Sequence, residues 1–195
     1  MLELSICRTG ISQLSRASRI RGFSLLEISI TLIIIAIVVG FSSSFAALVA
    51  RQEISTQTNE VVTSLKLART VAIVRQTRVT LCQSTSGSKC ERGFDWGKGW
   101  ILFTDADNNR VIDPVDEVIQ VHPGLNNRTG LFWRGSLGTN YFLGFQATGR
   151  SNKAGSFWVC SDTRVLNEGR RVVLANTGRV RTSDATKSEI MEYCN

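Results

Sequence analysis

Residues 28–50 carry no charged side chain, and a single carboxylate, Glu27, stands at the mouth of that run. About 20 predominantly apolar residues cross a bilayer as an α-helix, so the run predicts a membrane span. A carboxylate in that position costs roughly 2.5 kcal/mol or more unless it finds a partner, which marks Glu27 as functional rather than incidental. Upstream, residues 1–22 hold Arg8, Arg16, Arg19 and Arg21 against one acid, Glu3. That excess of positive charge keeps the N-terminal segment cytoplasmic and sends the rest of the chain outside.

The 195 residues carry 23 basic and 16 acidic side chains, a net charge of +7. The N-terminal segment supplies +3 of this, so the remainder is +4, and the bulk charge alone says little about nucleic acid. About 145 residues follow the apolar run, enough for one domain with its own core. Of five cysteines, Cys7 lies in the N-terminal segment, leaving Cys82, Cys90, Cys160 and Cys194 as an even set suited to an oxidising space. Three pairings are open. The favoured one joins Cys82 to Cys90 as a short local loop and Cys160 to Cys194 as a tie for the C-terminal tail. The larger loop contributes more in the chain-entropy model. Zinc is disfavoured, because no Cys-x-x-Cys occurs and His122 is the one histidine.

No proline and one glycine, Gly40, occur between residues 23 and 75. Beyond residue 51, Ile54, Val61, Leu65, Ala68 and Ala72 recur at helical spacing, with Glu53, Glu60, Lys66 and Arg69 off the stripe. One helix of about 50 residues, roughly 75–80 Å long, accounts for both patterns. Its first half (residues 23–50) would lie in lipid, and its amphipathic half (51–75) would pack on a domain spanning 76–195. Gly40 and Ser42, Ser43 and Ser44 mark where it could bend. The domain reads as short β-runs at 78–83, 99–104, 117–122, 130–134, 141–146, 156–160, 171–175 and 179–182, separated by Gly, Asn and Asp. The fold class is α+β, a long helix packed on antiparallel sheet.

The stretch Arg21-Gly22-Phe23-Ser24-Leu25-Leu26-Glu27 resembles the class III signal of type IV prepilins, with Gly22 before the cut, Phe23 after it and Glu27 five residues into the mature chain. The resemblance implies removal of residues 1–22 by a prepilin peptidase and methylation of the new Phe23 amine. It also implies pairing of Glu27 with the N-terminal amine of a neighbouring subunit. Trp96-Gly97-Lys98-Gly99-Trp100-Ile101-Leu102-Phe103-Thr104-Asp105 and the later Phe157-Trp158-Val159-Cys160 and Arg171-Val172-Val173-Leu174 blocks resemble FimT/GspH-type minor pilins and pseudopilins. That branch implies a long helix plus two small sheets. It further implies partnership with other pilin subunits, passage through the inner membrane with the domain periplasmic, and final placement in a surface pilus. An ordinary single-pass anchor is the plain alternative.

Residues 171–181 read as a hairpin turning at Asn176-Thr177-Gly178, with Arg179 and Arg181 on one face and Val180 turned to the core. Residues 150–181 hold seven basic side chains (Arg150, Lys153, Arg164, Arg170, Arg171, Arg179, Arg181) against two acidic, whereas residues 95–127 hold six acids against two bases. Arginine heads at such a turn suit phosphate oxygens and imply salt-sensitive, sequence-independent binding. Gly178-Arg179-Val180-Arg181 matches the Gly-Arg-x-Arg motif of the FimT subset, which implies DNA binding during natural transformation. Two readings stay open: a DNA-binding minor pilin, and a structural subunit that primes or caps a type IV pilus or a type II secretion pseudopilus, its arginines merely solvated.

Asp105, Asp107, Asn109, Asp113 and Asp116 echo an oxygen-ligand calcium loop, but Arg110 stands where its sharp turn needs glycine. Asx-stabilised turns explain the same residues. No triad, phosphate-cradling loop or nucleophile elbow is present, so neither an enzyme nor a cofactor is expected. Trp96, Trp100, Trp133 and Trp158 read as core.

Overall fold

The computed structural model describes residues 23–125, 129–138, 140–161 and 168–194, with the side chains of 40–46 and 137 outside that description. The expected leader, Gly22 and Cys7 therefore lie outside the described residues. The chain divides into two compact units, Met1–Phe41 and Ser42–Asn195. Helix α1 is Leu25–Val74, 50 residues.

In the first unit the helix is apolar all round. Leu25, Leu26, Ile28, Ile30, Leu32, Ile33, Ile34 and Ile35 are all exposed. Such a surface has no partner in its own unit, and it belongs in lipid or against other protein. Among the described residues no helix is long and apolar enough to cross a membrane. The expected span includes positions 40–46, whose side chains are not described.

In the second unit the stripe behaves as its spacing predicts. Ile54, Val61, Leu65, Ala68 and Ala72 are buried, each at most 4% exposed. They face two four-stranded antiparallel sheets. The first has the order β3 (Val118–Pro123), β2 (Gly99–Thr104), β1 (Val79–Gln83), β5 (Phe142–Phe145). The second has the order β4 (Thr129–Gly135), β6 (Gly155–Ser161), β7 (Gly169–Leu174), β8 (Val180–Asp184). A single core joins the stripe to both: Val79, Leu81, Trp100, Leu102, Leu143 and Phe145 from the first sheet, and Leu131, Trp133, Phe157, Val159, Val172 and Leu174 from the second. Trp96, Trp100 and Trp133 are fully buried in this core, whereas Trp158, 4% exposed, lies on the opposite face of β6, under Tyr193 and Arg171. The stripe also buries polar groups: Thr58 donates to the Ile54 carbonyl, Ser64 is bonded in a relay, and Gln57 Oε1 has no hydrogen-bond partner among the described residues. Trp100 Nε1 donates to Ser64 Oγ at 3.1 Å, and Ser64 donates on to Gln120 Oε1 at 3.2 Å.

All eight expected strands form, most with ends shifted by one or two residues. Alternation fails in β1 and β2, which are buried on both faces. Cys82, Ile101, Phe103 and Phe142 form a second cluster on the far face, covered by Cys90, Ile112 and Tyr141 from loops. Both favoured disulfides are present, Cys82–Cys90 with Cα atoms 5.5 Å apart and Cys160–Cys194 at 6.0 Å. A short helix not expected from the sequence, α2 (Lys187–Tyr193), precedes Cys194. It opens on a capping box in which Thr186 and Glu189 satisfy each other's backbone N–H groups. Tyr193 stacks on Trp158 with ring centroids 4.6 Å apart.

Candidate nucleic-acid interface

The candidate site begins at the β7–β8 hairpin. Gly178 N–H donates to the Ala175 carbonyl at 2.8 Å, and Ala175 N–H donates to the Arg179 carbonyl at 3.0 Å. This is a three-residue loop that ends in the left-handed region, where Gly178 has φ +76°. The turn does not hang free. Arg69 Nη1 of α1 donates to the Gly178 carbonyl at 3.1 Å, and Ser151 N–H donates to the Asn176 carbonyl at 3.0 Å. A Cβ at Gly178 would meet the Gly149 carbonyl oxygen at 2.1 Å, so only glycine fits there.

The register sets the faces. Val180 pairs with Leu174 and packs on the core, which turns Arg179 and Arg181 to the opposite, outer face, where both are exposed. Among the described residues neither guanidinium makes an ion pair or hydrogen bond. Strand β8 is the sheet's edge, so this outer face has no neighbouring strand beyond it.

The other expected contacts separate into different places. Arg171 is committed elsewhere: Nε donates to Ser156 Oγ at 3.1 Å, Nη1 to Glu189 Oε1 at 3.1 Å, and the guanidinium lies 4.9 Å from the Trp158 ring centre. It clamps α2 onto the sheet, and these contacts commit two of its donors to protein partners. Two bonds from Thr186, together with the Arg171 charge, hold the Glu189 carboxyl below its ordinary range. Arg170 faces Asp184 across the hairpin at 3.7 Å. Arg150 is exposed on the loop whose Ser151 ties to the turn. Lys153 instead turns into a separate pocket beside Phe142.

Two arginines were missed by the sequence reading. Arg69, counted only as off the apolar stripe, anchors the turn. Arg134 of β4 lies on the same cross-sheet line as Arg181, through Ser156 and Val173. Its guanidinium sits 5.0 Å from the Phe94 ring centre. Strand pairing at about 4.8 Å per step makes such a row legible only once strand order is known.

The acidic loop is built from Asx turns. Asp107 accepts from Asn109, Asn109 Oδ1 from Val111 N–H, and Asp113 from Val115 N–H. Asp105 is buried and accepts from Thr80 and from Arg110 N–H. Burial, reinforced by neighbouring Asp carboxylates, raises the Asp116 carboxyl above its usual range. Among the described residues no group of three His, Cys, Asp or Glu side chains is placed to hold a metal ion. His122 stacks on Trp100 at 3.8 Å, and its Nε2 lies 3.4 Å from Glu60. Glu27 is exposed in the first turn of α1.

An apolar helix that opens on a carboxylate, followed by an amphipathic half laid over two antiparallel sheets, defines a pilin-like subunit. The chain belongs to the family described as type II transport protein GspH, whose profile matches residues 57–178. A prokaryotic N-terminal methylation motif matches residues 17–43. Family and fold are those of structural pilins and pseudopilins, not of enzymes. The type IV minor pilin FimU of Pseudomonas aeruginosa PAO1, in its P21 crystal form, is similar at 20% identity and TM-score 0.50, over 71% of this chain and 92% of that one. Its P65 form gives 18% and 0.49, over 69% and 94%. The minor pseudopilin EpsH of the Vibrio cholerae type 2 secretion system gives 11% and 0.49, over 68% and 97%. At these identities the P21 likeness speaks for the fold alone. No curated protein matches the chain.

Proposed function

We propose that this chain is a minor pilin that grips DNA without sequence preference, through phosphate contacts made by Arg179 and Arg181, in support of DNA uptake. The observation that carries this reading is the contrast within one hairpin. Arg170 and Arg171 face acidic partners, while Arg179 and Arg181, without an ion pair among the described residues, extend from an edge strand whose turn is clamped by Arg69 and Ser151. A rigid mount lowers the ordering cost of presenting two guanidiniums to phosphate oxygens. Arg150 is exposed on the loop tied to the same turn, and Arg134 extends the row across the sheet. Single contacts of this kind are weak, and several subunits or repeated captures would add avidity.

The N-terminal unit supports the rest of the reading. Prepilin peptidase would cut after Gly22, the Phe23 amine would be methylated, and the apolar helix would hold the subunit in the inner membrane, domain periplasmic, until it enters a filament with other pilins. The exposed apolar surface of residues 25–39 and the match to the methylation motif favour this.

The test is DNA binding by the mature chain in detergent, followed by fluorescence anisotropy across a salt series. Each phosphate contact adds roughly 0.9 to the slope of log affinity against log salt. Arg179→Ala/Arg181→Ala should therefore weaken binding and flatten the slope by up to about 1.8 if each arginine meets one phosphate. Binding that ignores the double substitution would discard the hairpin as the site. The family match to a type II transport protein favours a second reading, a pseudopilus or pilus subunit acting through protein contacts alone. No measurable DNA affinity, combined with loss of filaments on deletion, would select it.

A further inference from the structure

Lys153 leads to a second cationic site. An open pocket of about 460 Å³ is lined by Arg78, Arg110 and Lys153 together with Asn108, Asn152 and Tyr141, and no acidic residue is among its lining. From this we infer that the pocket is an oxyanion site that takes a phosphoryl group.

The three cations are held rather than adrift. Arg78 Nη1 donates to Asn108 Oδ1 at 2.6 Å, and Asn108 is itself fixed in the left-handed region at φ +61°. Arg110 also has positive φ, +62°, a costly conformation for a non-glycine residue. Its N–H donates to the buried Asp105 carboxylate at 3.3 Å, which fixes the backbone. The Arg110 guanidinium lies 4.7 Å from the Phe142 ring centre, and Lys153 Nζ lies 5.8 Å from the same ring. Their separation cannot exceed those two distances together. Among the described residues the buried Arg110 Nε has no hydrogen-bond partner.

Arg110 and Lys153 share one apolar ring, Arg78 lines the same pocket, and no carboxylate is among the lining residues, so an anion that enters meets three cationic side chains. Three cations exceed what a monovalent carboxylate needs, and guanidinium forks match the tetrahedral oxygens of phosphate. Asn152 orders the rim: its Oδ1 accepts from Gly144 N–H at 2.8 Å.

The site does not depend on the hairpin reading, although it lies near it. Ser151 is bonded to the hairpin turn, and Lys153 is two residues further on, at most about 7 Å of chain. A nucleic-acid backbone could therefore reach both, and free phosphate could fill the pocket alone.

The experiment titrates inorganic phosphate into the isotope-labelled mature chain in detergent and follows the amide signals of Asn108, Arg110, Asn152 and Lys153. Acetate at equal ionic strength is the control. Saturable shifts with phosphate, at least tenfold weaker with acetate, are expected. Lys153→Gln should weaken phosphate about tenfold, and Arg78→Gln should weaken it similarly. Arg179→Ala/Arg181→Ala should leave it unchanged, so that failure of the hairpin and failure of the pocket are separable. A single-stranded oligonucleotide that displaces phosphate would assign the phosphoryl group to a nucleic-acid backbone; one that does not would assign it to the free oxyanion. No saturable shift, equal affinity for acetate, or indifference to both Lys153→Gln and Arg78→Gln would overturn the inference.

Discussion

Arg69 of α1 donates to the Gly178 carbonyl at 3.1 Å, so the helix that forms one wall of the core also sets the position of the basic hairpin. Gly178 has no room for a side chain, because a Cβ would stand 2.1 Å from the Gly149 carbonyl oxygen. Gly178→Ala must therefore shift backbone as well as occupy a left-handed φ, a conformation that alone costs roughly 1–2 kcal/mol. A urea denaturation midpoint lower by more than that penalty is expected. Arg69→Ala removes one hydrogen bond, worth about 1 kcal/mol, and should loosen the turn without unfolding the domain. Faster amide exchange at Gly178 and Arg179 would report it; unaltered exchange would show that Ser151 holds the turn by itself.

The two pairs of hairpin arginines should separate cleanly. Arg171→Ala breaks the link to Glu189 and uncovers Trp158, so it should lower stability and change tryptophan fluorescence while leaving the salt slope of DNA binding intact. Arg179→Ala/Arg181→Ala should do the reverse. An Arg171→Ala variant with full stability and a flattened salt slope would place Arg171 in the interface instead.

Much of this arrangement was legible in the sequence. The stripe of Ile54, Val61, Leu65, Ala68 and Ala72 announced the buried helix face, and the Gly-bearing turn before Arg179 announced the hairpin, because helical and strand periodicities are local. The fate of Arg171 was not legible, since it depends on α2, which packs on the outer face of the second sheet. Yet Thr186-Lys187-Ser188-Glu189 ahead of Ile190 and Met191 is a capping box before apolar residues, and that signal could have revealed the helix. The pocket around Lys153 was out of reach, because Arg78, Arg110 and Lys153 meet only through the pairing of β1 with β5 and the curl of the acidic loop.

The disulfides should differ in weight. Cys160–Cys194 spans 34 residues and Cys82–Cys90 spans 8. The chain-entropy model assigns them about 4 and about 2.5 kcal/mol. Cys160→Ala/Cys194→Ala should lower the urea midpoint more than Cys82→Ala/Cys90→Ala and should free α2. An equal loss would show that packing in the second cluster, which contains Cys82 itself, makes up for the shorter loop.

Acid should weaken the domain through its paired carboxylates. Hydrogen bonds from Arg75 to Glu117 and from Arg51 to Glu168 hold both carboxyls below the ordinary range, and Glu189 is lowered too. A depressed folded-state pKa contributes stability that is present above the unfolded value, about 4.3 for Glu, and is lost as pH falls through the depressed one. Asp116, raised by burial, acts in the opposite sense, since its folded form takes up a proton first. Stability should thus fall below about pH 4.5, and Arg75→Gln/Arg51→Gln should make the fall shallower. An identical acid limb in that variant would remove the two surface pairs from the account.

Glu27 gives the sharpest test of the N-terminal unit. It sits in the first turn of α1 among exposed apolar side chains, with Phe23 four residues before it and 78% exposed. Carboxylates are favoured at helix N-termini by the partial positive charge of the free N–H groups, by about 0.3–1 kcal/mol, which is too little to offset transfer into hydrocarbon. On the proposed reading the balance would be completed by a cation, the Phe23 amine of a neighbouring subunit, which cleavage after Gly22 would free. Glu27→Gln removes the charge while keeping size and helix propensity. Membrane insertion should then be unchanged, because the residue becomes cheaper to bury, whereas incorporation into filaments should drop at least tenfold. Quantifying the subunit in sheared filaments and in the membrane fraction reads both at once. Filaments that take up the Gln variant at the normal level would show that the carboxylate has no partner amine, and that the helix assembles on apolar contact alone.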